Sequence, residues 1–101
     1  MIVRQGDRMV VSGAVTLGGV AALLEQGRAQ IFDGARTVDL AGVTELDSSA
    51  LAMLLAWLRA ARARNRELAF IGFPEGLTAI ARLYGVAELL SLAPPEPTPR
   101  H

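Results

Sequence analysis

The spacing of apolar residues along this chain switches between every second position and every third or fourth, the marks of strands and helices respectively. Ile2-Val3-Arg4 and Arg8-Met9-Val10-Val11-Ser12 read as two strands around a turn containing Gly6-Asp7, and Gly13 ends the second strand. Val20, Leu23, Leu24 and Ile31 are spaced for one face of a helix from about Leu17 to Ile31, capped by Thr16, with Gly18-Gly19 weakening its first turn. Thr37 to Leu40 is a short central strand that leads into a tight loop. A second helix runs from about Ser48 to Arg64 and stops at Asn65, a residue suited to a left-handed C-cap. Glu67 to Gly72 forms the next strand. Pro74 opens a third helix at its first position, with Leu77, Ile80, Ala81 and Tyr84 as its inner stripe and Gly85 as its stop. Val86 to Leu92 adds a last turn. Pro94 to His101 is a proline-rich tail that joins neither a helix nor a central strand.

Strands and helices in the order β-β-α-β-α-β-α imply an α/β domain with a mainly parallel sheet and right-handed crossovers. At 101 residues the expectation is a single domain over residues 1–92, with a four-stranded mixed sheet and three or so helices mainly on one side, followed by a tail over 93–101.

The second helix has two apolar sides. With Leu51 at zero and about 100 degrees per residue, Leu51, Leu54, Leu55 and Leu58 fall in one wedge wide enough to face a sheet. Met53 and Trp57 then point away, along with Ser49, Ala52, Ala56 and Ala60, where a solvated helix would carry charge. Either a further layer or the tail covers this side, or alanine serves helix propensity, or the side is a partner surface; exposed apolar patches usually mark contacts, and Trp and Met favour interface centres. Leu83, off the inner stripe of the third helix, repeats the theme weakly.

Composition removes most catalytic chemistry. Ten acids balance ten basic residues, so no global field attracts nucleic acid or an anionic membrane. Every basic residue is Arg, which excludes a Schiff-base lysine and a phosphate loop ending in Lys. Arg59, Arg62, Arg64 and Arg66 suit the negative end of the second helix's dipole, and no aromatic interleaving supports a nucleic-acid groove. Cysteine is absent, and the only histidine is His101. Glu45, Asp39 and Asp33 form no recognisable metal set, so no catalytic, cofactor or metal residues are expected. Met1-Ile2-Val3-Arg4-Gln5 has no signal-peptide pattern, and the longest apolar run, Ala50 to Leu58, is too short to cross a bilayer, so a cytoplasmic domain is expected.

Asp47-Ser48-Ser49 stands where the second helix begins, and two readings are open for it. In one, Asp47 or Ser48 is simply an N-cap. In the other, a hydroxyl there is a partner contact or a phosphoacceptor; phosphate on Ser48 would gain from the helix N-terminus and lose from the adjacent Asp47. Catalysis by Ser48 lacks a general base other than carboxylates.

Val38-Asp39-Leu40, Val43 and Leu46-Asp47-Ser48-Ser49-Ala50-Leu51 together resemble the signature of STAS domains, the fold of anti-sigma-factor antagonists, over about Gly6 to Leu92. The Leu-rich second helix and Gly76-Leu77-Thr78-Ala79-Ile80-Ala81-Arg82-Leu83-Tyr84-Gly85-Val86 resemble the MlaB type, small cytoplasmic subunits of the phospholipid-trafficking Mla ABC transporter. That resemblance implies a non-catalytic regulatory subunit, peripheral to the inner membrane through its complex. Its partner would be an MlaF-like ABC-transporter ATPase, contacted at Asp47, Ser48, Ser49, Met53 and Trp57. The antagonist branch implies instead an anti-sigma factor kinase that phosphorylates Ser48. Two departures stand out. Ala50 replaces the usual Gly, which bears on close approach of a partner. Gly13-Ala14-Val15-Thr16 lacks the family's two acids at that segment, which weighs against the antagonist branch.

Overall fold

The computed structural model describes residues 1–90; the domain end at residue 92 and the proline-rich tail lie outside them. The element order is β1 Ile2–Gln5, β2 Arg8–Val15, α1 Val20–Phe32, β3 Thr37–Leu46, α2 Ser48–Ala63, β4 Ala69–Ile71 and α3 Glu75–Leu83. The four strands lie in chain order in one sheet, with β1 antiparallel to β2 and both other pairings parallel. This is the mixed sheet the sequence pattern implies. Met9, Val11, Val38 and Leu40 turn inward and are fully buried, whereas Val3 and Ile71, which point to the opposite face, remain exposed. The helices therefore cover one face.

β4 is only Ala69–Ile71 where Glu67 to Gly72 was expected, and Pro74 is the extended N-cap of α3, not its first residue; three further boundaries differ from the sequence reading, each for a local reason. Gly13 does not end β2; it sits inside the strand beside a register shift. Segment 41–46, expected as a loop, continues β3 for ten residues against the eight of β2. Two bulges absorb the excess: Val10 and Ser12 pair with Asp39 and Gly42, and Gly13 and Ala14 pair with Val43 and Glu45. At the first bulge the Asp39 carboxylate accepts the Ala41 N–H at 2.9 Å, occupying a donor that the ladder leaves free. Gly42 suits the close approach there, since an added Cβ would stand 3.0 Å from Ser12 Cβ and would push that neighbour aside. Finally, Thr16 does not cap α1. Its carbonyl accepts the Gly19 and Val20 N–H groups in a turn, and α1 begins after Gly19.

The largest correction concerns the rotation of α2. Trp57 and Met53 do not face outward: they are 0% and 2% exposed. The indole lies against Gly27 of α1, where an added Cβ would stand 2.2 Å from Cε2 and Cζ2. Its Nε1–H donates to the Leu24 carbonyl at 3.0 Å, so the polar edge of the buried ring is satisfied. The seam continues with the Arg64 guanidinium 3.9 Å above the Phe32 ring and Arg66 Nη1 donating to the Ile31 carbonyl at 2.7 Å. On its other flank α2 meets α3, whose Leu77 and Ala81 are buried. With the sheet beneath and a helix on each side, α2 is buried over roughly 160 degrees of its circumference. The two-sided apolar pattern is thus a core pattern. Asn65 does adopt the left-handed conformation expected of it, at φ 57°, one residue after Arg64, which is the C-cap itself. Tyr84 leaves the inner stripe and is 60% exposed.

Gly27→Ala tests this packing. An exposed helix would gain about 1 kcal/mol from the change, whereas overpacking against the indole should cost roughly 1–3 kcal/mol net. In a Trp57→Leu background, with the notch emptied, the same substitution should become neutral or stabilising. Urea unfolding followed by circular dichroism measures both; equal effects in the two backgrounds would disprove the notch.

Candidate functional site

The extra residues of β3 carry the chain to the C-terminal edge of the sheet. There Val15 pairs with Leu46, and the Asp47 N–H reaches the Val15 carbonyl at 3.4 Å. This brings the start of α2 beside the Thr16–Gly19 turn that leads into α1. Asp47 is the N-cap, in an extended conformation. One carboxylate oxygen accepts the Ser49 N–H at 2.9 Å and also the Ser49 hydroxyl. The other accepts the Leu17 N–H at 3.0 Å. One side chain therefore caps α2 and ties down the neighbouring turn.

The same bonds set the acidity of Asp47. The Ser49 hydroxyl first and the Leu17 N–H second favour the ionised form and hold the carboxyl below the usual carboxylate range, against an opposing effect of burial that exceeds the smaller contribution of the Ser49 N–H.

The two serines have separate duties. Ser49 is half-buried and spends its hydroxyl on Asp47. Ser48 is exposed, and its hydroxyl has no hydrogen-bond partner among the described residues. Ala50 is buried. Its methyl group sits in the core, so replacing the usual Gly puts nothing in the way of a partner at Ser48.

Of the expected contact residues, Asp47, Ser48 and Ser49 form one corner, while Met53 and Trp57 belong to the interior beneath α1. Leu17, read from the sequence as the start of the first helix, was not among the expected contact residues. It is 77% exposed beside Asp47, and its only sequence signal is the Gly18-Gly19 pair that keeps the segment out of α1. Along α2 the surface then shows Ala52, Ala56, Arg59 and Ala63, exposed or half-exposed.

Elsewhere, a depression of about 1110 Å³ at the opposite end of the sheet mixes Arg36, Arg62 and Arg66 with Asp7 and Glu67 and is remote from Ser48. No group of three or more His, Cys, Asp or Glu side chains among the described residues could hold a metal ion. No described helix is long and apolar enough to cross a membrane.

This geometry, a mixed sheet with its helices on one face and a capped hydroxyl pair at the start of the central helix, defines a STAS-type fold. The chain belongs to the family described as Mlab, STAS domain, which matches residues 2–91. Among solved structures it is similar to the anti-sigma factor antagonist SpoIIAA in its unphosphorylated form, with TM-score 0.69 and 15% identity, over 94% of this chain and 88% of that one. It also resembles part of Mglu, with TM-score 0.53 and 26% identity, over 74% of this chain but only 19% of the Mglu chain. No curated protein matches by sequence.

The Asp47 arrangement predicts a pH dependence. Because the folded-state carboxyl is held below its unfolded value, its stabilisation is present at neutral pH and fades as pH falls through the carboxylate range. Asp47→Asn should unfold at lower urea than the parent at pH 7, and the gap should narrow as pH falls below the usual carboxylate range. A gap independent of pH would rule this out. Ser49→Ala should also lower stability, whereas Ser48→Ala should leave it within about 0.5 kcal/mol, as surface substitutions do.

Proposed function

We propose that this chain is a non-catalytic STAS-domain subunit that binds and stabilises the cytoplasmic ATPase of an Mla-type, phospholipid-transporting ABC system. In this reading it is held at the inner membrane through that complex. The observation that carries the proposal is the unengaged, exposed Ser48 hydroxyl in a chain of the Mlab family, next to neighbours whose polar groups are already committed. A rigid cap presenting one free hydroxyl beside an exposed Leu17 serves recognition: the apolar group contributes burial and the hydroxyl sets register.

A second reading, an anti-sigma-factor antagonist phosphorylated on Ser48 by its kinase, draws on the same free hydroxyl and on the likeness in fold to SpoIIAA. The turn beside Ser48 favours the first reading. Residues 13–19 carry no acid, only Gly, Ala, Val, Thr and Leu.

Affinity capture of the full chain from its native host, with phosphorylation mapped on the recovered protein, separates the two. Recovery of an ABC ATPase, lost on Ser48→Glu but with the circular-dichroism spectrum unchanged, is the expected result. Recovery of a serine kinase, phosphate on Ser48 and no ATPase would replace the first reading with the second.

A further inference from the structure

The antiparallel pairing of β1 with β2 fixes which backbone groups of β1 face away from the sheet. Met1 and Ser12 exchange both backbone bonds, each at 2.9 Å. With Val3 opposite Val10 and Gln5 opposite Arg8, the bonded pairs fall on the odd residues of β1. Ile2 and Arg4 therefore turn their N–H and C=O groups outward, and β1 has no strand on that side among the described residues. Nothing blunts this edge: β1 carries no proline and no bulge. Its one charge, Arg4, is drawn onto the end of α1, with Nη1 donating to Gln30 Oε1 at 2.9 Å and lying 3.3 Å from Asp33 Oδ2. On the bare face of the sheet Val3 is 45% exposed, beside half-buried Val10. On the helix side, Gln26 and Ala22 lie one and two turns before Gln30 and share its side of α1, so the flank over this edge is exposed and uncharged.

We propose that β1 pairs antiparallel with β1 of a second copy of this chain, about a two-fold axis at Val3, to make one continuous eight-stranded sheet. In this register Ile2 of each copy exchanges both backbone bonds with Arg4 of the other. The free groups lie symmetrically about Val3, so a single rotation satisfies all of them, as a self-complementary interface requires. Pairing centred on Ile2 or on Arg4 would leave half of them unmet. On the bare face, Val3 then lies directly against Val3 of the other copy with Val10 on either side, which closes an apolar row across the axis. No like charges are opposed. Each Arg4 reaches away from the axis, toward the Gly6 carbonyl and its own Asp33, and the facing flanks of α1 bring only Gln and Ala to one another. The four residues of β1 make a small contact beside the roughly 800 Å² per partner of a standard interface, so the pairing is reversible and concentration-dependent. Ser48 begins at the end of β3, two strands away, and stays uncovered in both copies, so this pairing is independent of the function proposed for that corner.

The chain has no cysteine, so Val3→Cys places a lone thiol on the axis, and Gln5→Cys places one off it on the same face of the same strand. Opposed residues of a pair without backbone bonds come close enough for a disulfide. In purified full chain under oxidised glutathione, Val3→Cys should form the intermolecular disulfide at least tenfold faster than Gln5→Cys. Sedimentation equilibrium of the parent should show the mass rising from monomer to dimer with concentration. Ile2→Pro removes an outward N–H and no bond within the sheet, and should give a monomer with an unchanged circular-dichroism spectrum. Should Ile2→Pro fail to fold, Val3→Glu and Val3→Lys take its place: each alone should be monomeric, and the two mixed should dimerise. A parent that stays monomeric up to millimolar concentration, equal rates for the two cysteines, a dimer that survives in folded Ile2→Pro, or a Glu and Lys mixture that stays monomeric would overturn the proposal.

Discussion

The indole of Trp57 seated against Gly27 sets the rotation of α2, and much else follows from that rotation. A helix that buries a sheet-facing side alone is free to settle over a range of angles. Here the ring enters a notch that exists only because residue 27 has no side chain, and its N–H is held by the Leu24 carbonyl. The Arg64–Phe32 and Arg66–Ile31 contacts fix the far end of the same seam. With α2 locked, Ser48 and the alanine stripe turn outward and Met53 inward.

Asp47 does for the sheet edge what Trp57 does for the helix layer. Two bulges lengthen β3 until its end lies beside that of β2, and the carboxylate then links the α2 start to the turn before α1. Bulges commonly re-aim a strand near functional sites, and the effect here is to display one serine while consuming its neighbour. The result is a preorganised surface with little chemistry of its own. Binding to such a surface need not order the residues that form it, which lowers the cost of association.

A STAS frame with these features separates scaffold from specificity. The inward residues of β2, β3 and α2 maintain the sheet–helix packing, and likeness in fold persists at low identity because many apolar sets fill such a core. The groups left outside are here Leu17, Ser48, Leu83 and the arginines of α2. Function therefore has to be argued from that outer set and not from the fold.

The sequence by itself determined the order of elements, the mixed one-sided sheet, the left-handed conformation at Asn65 and the cap at Asp47-Ser48-Ser49. Each of these depends on residues close together in the chain: periodicity, turn-forming residues and cap chemistry act over a few positions. The continuation of β3 through Gly42 was not legible, because bulges are defined by the partner strand and alternation alone reads them as a break. Nor was the facing of α2. Its wheel is apolar on both sides, and a wheel cannot say how many neighbours a helix has. Only tertiary structure placed α1 over Trp57 and α3 on the opposite flank, turning an expected contact surface into core. Leu17 and Ser48 likewise became neighbours only through a carboxylate reaching across 30 positions of chain, a contact that packing creates and local pattern does not encode.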